Sequence, residues 1–235
     1  MFPIRDENPR RSFPFVTLLL ALMNTAAFAY QILLGPANEA FVVRFGAIPW
    51  EIIHGAELPG LPESSLTGGP SGLTLLTSMF LHGGFMHLAG NMLYLWIFGD
   101  NVESLLGRFR FLLFYILCGL GAAMSYILVD PNSTVPMIGA SGAISGVLGA
   151  YMIHFPKARV HVLVFMIWFI RVVRIPALVV LGFWFVFQLV NGLGALGTGQ
   201  SGGVAWFAHV GGFVAGILLI LIFPKRKSAS SARIR

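Results

Sequence analysis

Charge is what this sequence has least of. Only 10% of its 235 residues are Asp, Glu, Lys or Arg, against roughly a quarter in a soluble globular chain, which excludes an ordinary water-exposed surface. Acids are scarcer than bases, nine against fifteen. Cysteine occurs once, at Cys118, so neither an intrachain disulfide nor a cysteine-rich zinc site can form. There is no H-E-x-x-H motif and no internal repeat of the transporter kind. What is abundant is apolar: 57% of the residues are hydrophobic and the mean hydropathy is +0.82. The net charge of +6 does not point to nucleic acid, because the basic residues lie between apolar runs rather than along one face. The length allows about six spans of roughly 20 residues with short loops. The chain reads as a membrane protein.

Six apolar runs are candidate spans, at about 13–34, 85–106, 111–129, 141–155, 175–193 and 205–223. No small-residue cleavage site follows the first, so it reads as a retained span and not a signal peptide. Val160–Ile170 is also apolar, but Arg159 and Arg171 bracket it closely, and it reads as interfacial. Arg5, Arg10 and Arg11 precede the first run, Arg108 and Arg110 separate the second and third, Lys157, Arg159, Arg171 and Arg174 separate the fourth and fifth, and the rest follow the sixth. Six spans thus put fourteen of the fifteen bases on one side, with Arg44 alone opposite. The positive-inside rule makes that side cytoplasmic and places both termini there. The expected fold is all-α, a six-helix membrane bundle over 13–223, with a cytoplasmic segment at 1–12 and a basic cytoplasmic tail at 224–235. The outer loop 35–84 is long and rich in Pro, Gly and Glu. The loop 191–203 is so rich in Gly and small residues that it is expected to be mobile.

Polar side chains at membrane depth are costly and tend to line a cavity or pathway. Three clusters stand out: His82, His87 and Asn91 around the start of the second run; Gly139-Ala140-Ser141-Gly142 opening the fourth; and Ala208-His209-Val210-Gly211-Gly212 in the sixth. Each has a bland reading. A serine at a helix start commonly bonds its own backbone, a lone histidine can be a structural hydrogen-bonding group, and Asn91 can serve as interhelical glue. Depth argues for more. Ser141 precedes Lys157, and His209 precedes Lys225, by the same interval, about 24 Å at 1.5 Å per residue; the two therefore share a level just below the outer surface. Gly142, Gly146 and Gly149 in the fourth run, and Gly212 and Gly216 in the sixth, would let two helices approach closely. If those faces meet, Ser141 and His209 come within reach, and a serine with an adjacent imidazole is an activated nucleophile. Backbone N–H groups at the helix start, with Asn91 and His87, can face a developing oxyanion. The residues themselves describe a Ser–His hydrolase inside the membrane.

At these motifs the chain resembles the rhomboid family of intramembrane serine proteases, over about 13–223 and in the minimal six-span form. The matching residues are His87-Leu88-Ala89-Gly90-Asn91, Gly139-Ala140-Ser141-Gly142 and Ala208-His209-Val210-Gly211-Gly212. The resemblance implies Ser141 as nucleophile and His209 as general base in a dyad. It implies His87, Asn91 and Gly139 as oxyanion-stabilising positions, and His82 and Gly142 as cavity or structural positions. Glu103, Arg108 and Arg110 match a structural polar cluster. The implied substrates are transmembrane segments of membrane proteins in the lipid bilayer of the plasma or inner membrane, with no cofactor, no metal and no nucleic acid. Two departures stand out. Trp50 is followed by Glu51 where the family often has Trp-Arg. Ser145 stands where many members have an aromatic residue stacked on the histidine; Trp206 and Phe207 are candidates to hold the ring instead. The acids Glu39, Glu51, Glu57, Glu63 and Asp130 lie in loops too shallow to reach His209, so a slow, acid-free dyad is expected. The 191–203 loop and the fifth span could then gate substrate entry. The alternatives are a catalytically silent relative that binds client membrane proteins, a small transporter, and a metal site on His82, His87 and His209.

Overall fold

The computed structural model of the chain describes residues 2–9, 12–58, 72–166, 169–198 and 205–225. Arg10, Arg11, Glu63, part of the 35–84 loop, residues 199–204 of the second loop and the tail from 226 onward lie outside the described residues.

The backbone is mainly helical. Strand β1 (Phe2–Asp6) leads into α1 (Phe15–Leu33). Short helices α2 (Asn38–Phe45), α3 (Pro49–His54) and α4 (Thr74–Thr77) follow, then α5 (Phe85–Leu106), α6 (Arg108–Val129) and α7 (Ser141–His154). Strands β2 (Arg159–Met166) and β3 (Phe169–Pro176) precede α8 (Ala177–Thr198) and α9 (Trp206–Ile222). The long helices start and stop close to the apolar runs, and the second run coincides with α5.

Three expectations need correction. The fold is not all-α: β1, β2 and β3 form an antiparallel sheet in that order, with β2 and β3 paired from Arg159 opposite Pro176 to Met166 opposite Phe169. Within the run at 160–170, residues 160–166 and 169–170 are strand. Valine recurs at every second position of β2, at 160, 162 and 164, the period of a strand, and Val160 and Val162 are fully buried. Second, the 191–203 loop is helical as far as Thr198, where α8 ends; its Leu and Ala residues extend the helix through the glycines. Third, Glu39 and Glu51 lie in α2 and α3, not in loops.

Helix α7 is the centre of the bundle. Every residue from Gly142 to Tyr151 is buried, as expected of a helix apolar on all sides and enclosed by its neighbours. It runs parallel to α9, and glycine sets their separation. A Cβ on Gly212 would overlap the Gly142 carbonyl, and one on Gly216 would overlap the Gly146 backbone. On the other side of α9, a Cβ on Gly211 would strike Ser125 of α6. Close backbone approach of this kind is the usual basis of helix association in a membrane, where lipid is as apolar as the protein.

The start of α1 is held from a distance. Pro14 provides no side-chain cap. Instead, Glu103 of α5 accepts from the Val16 N–H at 3.0 Å and from the Thr17 N–H and hydroxyl at 2.8 Å each. These are N–H groups that a helix start leaves without an intrahelical acceptor. Arg108 lies over the Phe15 ring, 5.3 Å from its centroid, and Arg110 donates to the Pro224 carbonyl at 3.1 Å. All three polar residues at this end tie helices together.

Among the described residues, three helices are long and apolar enough to cross a membrane: Phe15–Leu33, Arg108–Val129 and Ala177–Leu196. α9 is apolar but shorter, and α7 has 14 residues.

Candidate active site

The glycine register of α7 on α9 decides what meets at the open ends of those helices. Gly142 faces Gly212, so the residue before one and the residue three before the other share a corner. Those residues are Ser141 and His209. Ser141 Oγ and His209 Nε2 are 2.8 Å apart, and both side chains are half-buried. With Nε2 unprotonated, the Ser141 hydroxyl donates to it, the geometry of a serine beside its general base.

The turn before Ser141 needs glycine. Gly139 has φ of +120°, where a side chain is strained, and a Cβ there would lie 2.8 Å from the His87 ring. Its N–H donates to the Ser78 carbonyl at 2.8 Å. That N–H is engaged with Ser78, and what Gly139 gives the site in this structure is the turn. The Ser141 N–H is better placed, because Ser141 is the first residue of α7 and has no intrahelical acceptor. Gly142 is structural, with the Ala122 Cβ 2.6 Å from where its own Cβ would be.

α5 provides the opposite wall. Asn91 is buried, and its Nδ2 lies 3.0 Å from His82 Nε2. His82 Nδ1 lies 3.3 Å from the Phe80 carbonyl. The consistent assignment has Nδ1–H donating to that carbonyl and Nε2 accepting from Asn91, which leaves a second amide hydrogen of Asn91 for another acceptor. The His82 backbone is clamped in turn by Gln31 of α1, at 2.9 Å to its N–H and 3.2 Å to its carbonyl. His82 therefore sits behind Asn91 and outside the cavity lining, whereas His87 and Asn91 line it. His87 Nδ1 accepts from the Gly83 N–H at 3.4 Å, which puts its proton on Nε2, on the side of Gly139.

Ser141, His209, His87 and Asn91 all face one cavity of about 1010 Å³. Two further residues reach it from α8 that the sequence reading did not single out. Gln188 Oε1 is 2.8 Å from His209 Nδ1, and the Trp184 ring is tilted toward His209 with centroids 6.0 Å apart. Trp206 stands edge-on to His209 at 6.5 Å. Phe207 packs toward Gly192 instead. Ser145 turns away from the histidine and donates to the Ser141 carbonyl at 2.6 Å. The signal for Gln188 was present: an amide at membrane depth, one helical turn after a tryptophan. Among the described residues, no group of three or more His, Cys, Asp or Glu is arranged to hold a metal ion.

The chain as a whole is similar to known proteins. A family model described as the Rhomboid domain matches residues 70–226. The chain is 36% identical over 172 residues to "RHOMBOID-like protein 4" of Arabidopsis thaliana, covering 70% of this chain and 38% of that protein. It is 36% identical over 138 residues to "Rhomboid protease GluP" of Bacillus subtilis, covering 59% and 24%. To "Rhomboid protease AarA" of Providencia stuartii it is 30% identical over 229 residues, covering 88% and 72%. The chain thus spans well under half the length of the first two relatives and nearly three quarters of the third.

Proposed function

The chain belongs to the rhomboid family, and on that premise we propose that it is an intramembrane serine endopeptidase working through a Ser141–His209 dyad. The observation that carries the proposal is the 2.8 Å contact between Ser141 Oγ and His209 Nε2 on the wall of a large cavity. In this mechanism His209 takes the hydroxyl proton as Ser141 Oγ attacks a substrate carbonyl, and the carbonyl oxygen becomes an oxyanion. The Ser141 N–H, the free amide hydrogen of Asn91 and the Nε2–H of His87 receive that charge. His209 then protonates the leaving amine, which departs and leaves an acyl ester on Ser141. Water, deprotonated by His209, cleaves the ester and restores the hydroxyl.

The substrates in this reading are membrane-spanning segments of other proteins, cut where the helix unwinds enough for a carbonyl to reach Ser141. The protein is read as crossing the plasma or inner membrane six times, over 13–223, with both termini cytoplasmic. The bias of basic residues supports that topology. So does the chemistry of the three helices that are shorter or more polar than a typical span. α5, α7 and α9 are the ones that hold His87, Asn91, Ser141 and His209, and a helix enclosed by protein need not be apolar along its whole length.

The test is cleavage of a single-span reporter by purified protein in detergent, wild type beside Ser141→Ala and His209→Ala. Cleavage by the wild type alone, with a serine-reactive fluorophosphonate labelling Ser141, is the expected result. Equal cleavage by Ser141→Ala would rule out the mechanism. Silence from all three with no label on Ser141 would favour a client-binding role instead.

A further inference from the structure

The hydrolase reading leaves one requirement unmet: something must hold His209. A neutral imidazole has two tautomers, and only the one protonated at Nδ1 offers its Nε2 lone pair to the Ser141 hydroxyl. In serine hydrolases with a full triad, a buried carboxylate selects that tautomer and steadies the ring. Here Gln188 occupies that place, with Oε1 2.8 Å from Nδ1 and the residue only 5% exposed.

We infer that Gln188 of α8 is the positioning residue of the dyad, accepting the Nδ1–H of His209 and so holding the base in its productive tautomer. This rests on the Ser141–His209 reading and adds to it a role for a residue that touches neither the nucleophile nor the oxyanion. The reverse amide orientation would have the Gln188 NH₂ donate to Nδ1. That would move the histidine proton to Nε2 and leave no lone pair for Ser141. The oxygen-inward orientation is the one compatible with the 2.8 Å Ser141–His209 contact as a base contact. Trp184, one turn earlier on the same face of α8, flanks the ring, and neither it nor Trp206 provides an acceptor for Nδ1. α8 thus supplies both the acceptor and a ring neighbour that α7, with Ser145, does not.

A neutral amide differs from a carboxylate in a measurable way. It selects the tautomer without adding a negative charge beside the imidazolium that forms during reaction. Among the described residues, the other titratable side chains lining the cavity are His87 and Tyr94 from α5, Tyr126 from α6, and Asp130 just beyond α6. A carboxylate introduced at 188 would therefore be the acid in direct contact with His209.

The experiment uses the full chain in detergent with Gln188→Leu and Gln188→Glu. Readouts are reporter cleavage as kcat and KM, the rate of fluorophosphonate labelling at Ser141, the pH profile and the thermal midpoint. Gln188→Leu is expected to lower kcat roughly 10- to 100-fold, a share of what a general base contributes, with KM within about twofold and labelling slowed in parallel. Gln188→Glu is expected to recover part of that loss and to shift the acid limb of the pH profile to higher pH, because a carboxylate favours the protonated ring. Unchanged kcat and labelling in Gln188→Leu would overturn the proposal. So would equal impairment of both variants with an unmoved acid limb, the mark of a merely structural residue. If Gln188→Leu does not fold, the Gln188→Glu acid limb decides: moved, it supports the proposal; unmoved, it overturns it. Failure of the underlying hydrolase reading would show separately, as cleavage that survives Ser141→Ala.

Discussion

Three of the polar side chains facing the cavity have a supporting neighbour. His82 holds Asn91, Gly139 makes room for His87, and Gln188 holds His209. Ser141, His209, His87 and Asn91 were legible in the sequence because a His, Ser or Asn in an apolar run is conspicuous. Their supports were less so. Gln188 acquires meaning only when α8 is laid against α9, and the clamp of Gln31 on His82 joins residues 51 positions apart. Under the proposed mechanism the free amide hydrogen of Asn91 stabilises charge that exists mainly in the transition state. Asn91→Ala should therefore lower kcat by roughly 10²- to 10³-fold, as loss of one oxyanion donor does, while KM changes little. Steady-state kinetics on the single-span reporter would check this. A raised KM at constant kcat would instead mark Asn91 as a residue that binds substrate and transition state alike.

At the scale of elements, the site is a consequence of how closely α7 and α9 run. The glycines of both helices were readable as a close-packing face, and from that face alone the meeting of Ser141 and His209 could be anticipated. The helix limits were readable too, since long apolar runs leave few alternatives. The strands were missed because two eight-residue strands are too short to outweigh an all-helical expectation, although the valines at every second position of β2 were visible. The end of α8 was missed because glycine content suggests a loop, whereas packing of Gly192 against Phe207 and Trp206 of α9 gives those residues a helical place. Replacing Gly216 tests the register. An added Cβ would overlap the Gly146 backbone, and backbone cannot yield as the end of a side chain can. Gly216→Ala is expected to cost about 1–3 kcal/mol, the range for overpacking a tight contact, read as a lowered thermal midpoint in detergent. Cleavage at a temperature where the variant is still folded should fall further than folding alone explains, because the same separation sets the distance from Ser141 to His209. Full activity in a folded Gly216→Ala variant would contradict this.

Across the whole molecule, the chemistry lies at one end of the central helix and a polar fastening at the other. Tyr151, ten residues along α7 from Ser141 and so about 15 Å away, donates its hydroxyl to Asp6 of β1. The same Asp6 oxygen accepts from Asn101 of α5 at 3.0 Å, and Asn8 donates to the Tyr151 oxygen at 2.8 Å. Beside it, Glu7 pairs with His161 of β2 at 2.9 Å and with Arg174 of β3 at 3.5 Å. The N-terminal strand is thereby tied to α5, α7 and the sheet. Loss of solvent around Asp6 pushes its carboxyl above the usual carboxylate value of 3.8, and the charge of Asp100 pushes the same way, while the Tyr151 hydrogen bond opposes both. An acid whose folded value is raised binds its proton more readily in the folded state. Its contribution to stability is therefore greatest in acid and declines as pH rises from about 4 through the raised value, then levels off. Asp6→Asn keeps a hydrogen-bonding group of the same shape and cannot ionise. The wild type should have its best thermal midpoint relative to Asp6→Asn at low pH, and lose that advantage, or reverse it, toward neutrality. A midpoint difference that stays constant from pH 4 to 8 would mean that the carboxyl is not held in a desolvated place, and that β1 rests on the sheet more loosely than its contacts with Tyr151 and Asn101 imply.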